Sequence, residues 1–264
     1  MATRGEPLAK GKIVGYRTRN KTGVFASFFR YDKDMPQERP LAAFDIDGTI
    51  FRSSLLIELV ERLIEKEIFP RETRDVYARE RELWLNRKGD YGAYVHKVVD
   101  SFGTQLKTKL YADVADTAGE IIEEMKDRVY RYTRNLVRDL KQQGYFLLAV
   151  SHSPKFIVDG FGYEMGFDKT YGIFYETGAS GRFTGEIEDE DLIMNKGVIV
   201  QRVLHKENLT MHRSFAVGDT ESDLPMLERA ETPIAFNPNS FLYRHAKRNG
   251  WKIVVERKDV IYEL

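Results

Sequence analysis

The 264-residue chain contains no cysteine. Disulfides, thiol nucleophiles and thiolate-bound zinc are thereby excluded, and the absence is compatible with a reducing compartment. No stretch approaches the roughly 18 consecutive apolar residues of a membrane helix, and residues 1–6 are not followed by the apolar segment of a secretory leader. The expectation is a cytoplasmic protein without a membrane span. Net charge is absent too, with 41 Lys and Arg against 41 Asp and Glu, so no global field draws the chain to nucleic acid or membranes. The balance is uneven, however. Residues 1–39 carry nine basic and four acidic side chains, a local +5 against −5 for the remainder. Tyr16, Phe25, Phe28, Phe29 and Tyr31 are interspersed among them. Two expectations follow for this leader: contact with a nucleic acid or other acidic partner, or a tail or strand pair appended to the core.

What the chain does have is 42% hydrophobic residues, enough for a core, and length for one substantial domain plus a smaller one. The apolar run Leu41-Ala42-Ala43 leads into Phe44-Asp45-Ile46-Asp47-Gly48-Thr49-Ile50. This pattern reads as a buried strand emerging into a turn. Residues two apart on a strand share a face, so Asp45 and Asp47 are placed to flank one ligand. Like charges that close require a cation or a shared proton. Such a pair suits phosphoryl transfer: one carboxylate attacks phosphorus, the other passes protons, and a hard cation such as Mg²⁺ accompanies both.

Two further apolar runs end in polar clusters. Leu147-Leu148-Ala149-Val150 ends at Ser151, and Ser214-Phe215-Ala216-Val217 runs into Gly218-Asp219-Thr220-Glu221-Ser222-Asp223. Lys196 stands before a helix-like stretch at 197–204. Singly, these are a capping serine, a solvated lysine and an acidic turn. Jointly they place polar groups at the carboxyl ends of strands, where open α/β sheets bind ligands.

The order and spacing of these motifs resemble the haloacid-dehalogenase-like superfamily of phosphatases, and within it the phosphoserine-phosphatase-like group, from Leu41 to the C-terminus. The resemblance implies a Rossmann-like three-layer α/β core with a mainly parallel sheet and an inserted helical cap. It further implies that Asp45 is the nucleophile and Asp47 the general acid/base. Mg²⁺ would be held by Asp45, Asp219 and the backbone carbonyl of Asp47, with Asp223 orienting the metal shell. Ser151 and Lys196 would meet the substrate phosphate. The expected partition is a basic extension at 1–39, a discontinuous core at 40–50 and 142–264, and a helical cap at 51–141.

Within 51–141, Leu56, Leu59, Val60, Leu63 and Ile64 repeat at helical spacing, and Pro70 marks the end of that helix. A charged stretch at 71–88 and a longer one from Thr104 to Leu140 read as further helices. A lid of this kind excludes bulk water and favours a small phosphorylated substrate. Phosphoserine phosphatases place an acid about nine residues after the nucleophile, where this chain has Ser54. Phosphoserine is therefore not assigned as the substrate. Glu58 lies one turn further on, and Arg52, Ser53 and Ser54 are candidate contacts to the leaving group. His152 is a candidate too, although a loop imidazole without a substrate role fits the same pattern. Pro154 is placed to open a helix, residues 178–185 read as a turn between strands, and Pro233–Phe236 and 251–255 as further strands. A receiver domain also phosphorylates a strand-end aspartate, but it would be near half this length and lacks a second acid two residues on. Phosphotransfer to an acceptor other than water and a nucleic-acid-associated role for the leader remain as alternatives.

Overall fold

A computed structural model describes residues 13–19, 25–31 and 38–264. The chain divides into two compact units, Met1–Glu38 and Arg39–Leu264. In the first, strands β1 (Ile13–Arg19) and β2 (Phe25–Tyr31) pair antiparallel. The contact to nucleic acid or an acidic partner expected of the basic leader concerns side chains outside the described residues.

The second unit opens with β3 (Pro40–Phe44), whose leucine, alanines and phenylalanine are buried. There follow α1 (Leu55–Glu65), a 3₁₀ turn at Arg71–Val76, α2 (Ala78–Leu85), α3 (Tyr91–Leu106), α4 (Tyr111–Met125) and α5 (Arg131–Gln142). Then come β4 (Phe146–Pro154), α6 (Lys155–Met165), β5 (Lys169–Thr177), β6 (Phe183–Glu188), the short α7 (Glu190–Ile193) and α8 (Lys196–Glu207). The chain ends with β7 (Thr210–Gly218), α9 (Leu224–Leu227), β8 (Thr232–Phe236), α10 (Ser240–Asn249), β9 (Lys252–Arg257) and β10 (Val260–Glu263).

The eight strands lie in the order β10-β9-β8-β7-β3-β4-β5-β6. Pairings from β9 across to β5 are parallel, and only the edge strands β10 and β6 run antiparallel. This is the expected Rossmann-like α/β sheet flanked by helices. β3 sits between β4 and β7, with Phe44 paired to both Ala149 and Val217. Parallel register therefore brings the residues just past these positions, Asp45, Ser151 and Asp219, to one edge of the sheet.

The insertion between β3 and β4 is helical as expected, with different boundaries. α1 ends at Glu65, before Pro70, because the chain turns through Lys66 and Glu67, which adopts the left-handed region at φ +59°. The stretch from Thr104 to Leu140 is not one helix. Lys107–Leu110 and Lys126–Tyr130 interrupt it, so Thr104 falls in the last turn of α3 and the rest divides into α4 and α5. α5 packs on β4, and its first N–H groups, of Arg131 and Tyr132, donate to the Glu256 carboxylate at 3.0 and 2.8 Å. The amphipathic spacing of α1 buries Leu55, Leu56, Leu59, Val60, Leu63 and Ile64. Leu59 is fully buried, and Leu59→Ala is expected to cost about 2–5 kcal/mol in urea unfolding, by lost transfer energy plus the cavity left behind. A loss under about 1 kcal/mol would mean that this helix is not packed as described.

Candidate active site

Beyond β3, backbone N–H groups of Thr49, Ile50 and Phe51 all converge on the Ile46 carbonyl, at 3.2, 2.9 and 2.9 Å. Gly48 makes this turn with φ +80°, and its N–H donates back to the carbonyls of Phe51 and Ser53. A Cβ at Gly48 would also collide with the Asp219 carboxylate, so the position needs glycine on two counts. Gly218 is confined in the same way, because a Cβ there would stand 2.5 Å from the Asp223 side chain.

These turns gather three carboxylates. One oxygen each from Asp45, Asp219 and Asp223 lies within 4.8 Å of the others. Lys196, first residue of α8 and only 1% exposed, donates from Nζ to Asp45 Oδ1 and to Asp223 Oδ1, both at 2.6 Å. The other oxygen of Asp223 accepts the N–H groups of Asp219 and Thr220 at 2.9 and 3.0 Å, closing a capping box with Thr220. Asp45 Oδ2, by contrast, is buried without a hydrogen-bond partner among the described residues. Burial raises the Asp45 carboxyl to about 7, against the opposing pull of Lys196, and Asp223 and Asp47 raise it further. Asp219 is likewise pushed well above the carboxylate range by burial, then by Asp45 and Asp223. A buried, unpartnered oxygen beside two more carboxylates fits a hard divalent cation, which would relieve both the repulsion and the desolvation.

Asp47 faces a different set. Its Oδ1 accepts from the Leu55 N–H at 2.6 Å, at the amino end of α1. Its Oδ2 accepts from the hydroxyls of Ser151 and of Ser153, the latter at 2.9 Å. Ser151 was expected to face the phosphate, and in this state its hydroxyl is committed to Asp47 while it accepts the Ser153 N–H at 2.8 Å. Ser153 also accepts the Leu56 N–H at 3.2 Å. The pattern Ser151-His152-Ser153 carries the signal, since alternate strand residues share a face, but the sequence reading took only the first serine.

A cleft of about 950 Å³ opens beside the carboxylates, with Gly48, Ser53 and Asp219 among its lining residues. Arg52 and Glu58, both candidates for the leaving group, line it, Arg52 lying 5.6 Å from the Tyr130 ring centroid. Ser54 does not line it. Its side chain is buried and caps α1, accepting the Ile57 N–H at 3.5 Å, because a helix start needs that acceptor. His152 is also absent from the cleft. It is half-buried on β4 with Nε2 unpartnered, and burial followed by Lys196 pushes the imidazole down to about 4, so it is neutral near pH 7. The insertion supplies residues the sequence reading did not single out for the site: Tyr91 from α3, whose phenol is raised by burial and then by Asp47 and Asp219, with Tyr94 beside it and Trp84 from α2.

Residues 42–228 match the family model of haloacid dehalogenase-like hydrolases, well over half the chain. The chain belongs to that family. Among curated proteins it is 25% identical to the inhibition of morphological differentiation protein of Streptomyces azureus, over 82% of this chain and 78% of that one. It is 26% identical to a phosphoserine phosphatase of Mycobacterium tuberculosis, over 84% of this chain and 73% of that one. A solved structure of a Bordetella pertussis protein of unknown function shares the fold at TM-score 0.66 and 20% identity, over 82% of this chain and 98% of the other. A phospho-aspartyl intermediate analogue of phosphoserine phosphatase shares it at TM-score 0.55 and 21% identity, over 84% and 96%. As a member of this family the chain is a hydrolase, and among the described residues no helix is long and apolar enough to cross a membrane.

Gly48→Ala is expected to lose about 1–2 kcal/mol from the left-handed backbone alone, and more because Asp219 must move. Urea unfolding measures this, and unchanged stability would show that the turn and Asp219 are not locked together.

Proposed function

We propose that this hydrolase is a phosphatase that cleaves a small phosphomonoester through an aspartyl-phosphate on Asp45, with Mg²⁺ as its cofactor. The observation that carries the reading is the asymmetry of Asp45, one oxygen pinned by Lys196 and the other buried and unpartnered. Family membership and the phosphoserine phosphatase among its relatives support the enzyme class.

In the proposed sequence, a carboxylate oxygen of Asp45 attacks phosphorus and the bond from phosphorus to the ester oxygen breaks. Asp47, three residues past the end of β3, gives its proton to the departing oxygen. Water then attacks the phosphorus of the acyl phosphate, Asp47 takes the water's proton, and Asp45 is released with inorganic phosphate. Lys196 offsets negative charge at Asp45, and Ser151 turns its hydroxyl from Asp47 to a phosphate oxygen when substrate is present. Ser153 and the Leu55 N–H keep Asp47 in place during that exchange. Mg²⁺ would be held by Asp45, Asp219 and the Asp47 carbonyl, with Asp223 fixing its surroundings, and would supply charge neutralisation for the transferring phosphoryl group. The helices at 51–125 act as the cap, with Tyr91 as the residue that brings it to the carboxylates.

Phosphate release from a phosphomonoester panel tests these roles. Asp45→Asn is expected to abolish release, and Asp47→Asn to lower kcat by about 10²–10⁴-fold, the usual range for a general acid/base. Undiminished turnover in either variant would remove that residue from its role.

The cation is tested separately by thermal unfolding. With chelator, Asp45 and Asp219 hold protons in the folded state above pH about 4, where unfolded aspartates release them. Their contribution to stability is therefore full below that pH and is lost as pH rises through the folded value, about 7 for Asp45. Magnesium is expected to raise Tm, by more at pH 8 than at pH 5. A gain equal at both pH values, or unaltered by Asp219→Asn, would place the cation elsewhere.

A further inference from the structure

The cleft is larger than the proposed chemistry alone requires. At about 950 Å³ it lies near the upper limit of pockets that enclose ligands far bulkier than a phosphorylated amino acid. Of the three clustered carboxylates, Asp219 is the one that lines it.

Away from Asp219, one wall is aromatic. Trp84 packs on Tyr91 at 5.0 Å between ring centroids and stacks on Tyr94 at 5.9 Å with the planes 17° apart. Trp84 and Tyr91 remain partly accessible along the cleft, and Pro238 and Val255 from the sheet side also line it. Flat apolar walls of this kind suit a planar group, which gains stacking beyond simple area burial.

The charges lining the cleft are unbalanced. Glu61 is already held by Arg74 and the Tyr77 hydroxyl, both at 2.8 Å, and Glu256 by the first N–H groups of α5. Glu58 is the acid left outside the carboxylate cluster without such a partner among the described residues. Against it stand Arg52, Arg81, Arg87 and Arg257, none of which has an ion-pair partner among the described residues, although Arg52 lies over the Tyr130 ring and Arg81 bonds Tyr94. Arg87 and Arg257 are exposed, one following α2 and the other ending β9. Guanidinium groups free of carboxylates are the side chains best suited to capture a planar anion by paired hydrogen bonds.

We propose that the phosphomonoester cleaved here has a leaving group that carries a planar ring and a second anionic group, the ring lying against Trp84 and Tyr91 and the anion meeting Arg87 and Arg257. The proposal rests on the phosphatase reading for the reacting end of the substrate, and concerns the other end.

Four esters separate the possibilities: glycerol 2-phosphate, phenyl phosphate, 4-carboxyphenyl phosphate and 4-(aminomethyl)phenyl phosphate. Their binding to the Asp45→Asn protein with magnesium, followed by calorimetry, needs no turnover. The carboxylated ester is expected to bind about tenfold or more tightly than phenyl phosphate, and phenyl phosphate more tightly than glycerol 2-phosphate. In Arg87→Gln/Arg257→Gln the advantage of the carboxylate is expected to fall towards onefold, and in Trp84→Ala the advantage of the ring. Equal binding of the carboxylated and plain aryl esters, or preference for the aminomethyl ester through Glu58, would overturn the proposal. Wild-type turnover of the same esters is read alongside. Selective binding without phosphate release would sink the phosphatase reading and leave the ligand class standing, whereas release without selectivity would do the reverse.

Discussion

Lys196 is wedged between Asp45 and Asp223, all three almost wholly buried, and the catalytic edge of the sheet is organised around that contact. A lone ammonium or carboxylate in such surroundings is strongly disfavoured, and each is tolerable only because the others are there. The ammonium leans on two carboxylates and burial is offset, so its proton is held more firmly than in water. Yet one lysine does not neutralise the cluster. Asp219 and the second oxygen of Asp45 are left with raised proton affinity and no side-chain cation of their own. That surplus of buried negative charge is the physical content of the proposed magnesium site.

The surplus can be assembled because the sheet is parallel at its centre. β3, β4 and β7 all terminate on one edge, so short turns deliver a carboxylate, a pair of hydroxyls and an acidic loop to one place. Close approach then limits what the turns are made of. Gly48 leaves room for Asp219, and Gly218 leaves room for Asp223, so two glycines far apart in the chain serve one cluster.

In the proposed mechanism, chemistry and selectivity occupy different parts of the molecule. The proposed reacting groups stand at strand ends and on α8, where packing and hydrogen bonds hold them. The walls of the cleft are drawn from helices of the insertion, from the loop after β8 and from the end of β9, elements with more exposed surface.

The chain order of strand, acid pair, serine, lysine and acidic loop was readable from residues alone, because apolar runs ending in polar clusters have one natural meaning in an α/β sheet. The helical nature of the insertion was readable from the spacing of Leu56, Leu59, Val60, Leu63 and Ile64. Three things were not. Ser54 and His152 carry side chains suited to a substrate, but whether a side chain faces a cleft or caps a helix depends on the local backbone path. The bond from Ser153 to Asp47 was not readable, because the strand alternation with Ser151 shows only that the two hydroxyls share a face and not which residue 106 positions away they meet. Trp84, Tyr91, Arg87 and Arg257 became neighbours of one cavity only when the insertion folded back over the sheet edge. Local sequence specifies strands, turns and the types of group at their ends, since these follow from periodicity and backbone geometry. The makeup of a cleft between elements distant in sequence is a property of long-range packing, and only the folded chain decides it.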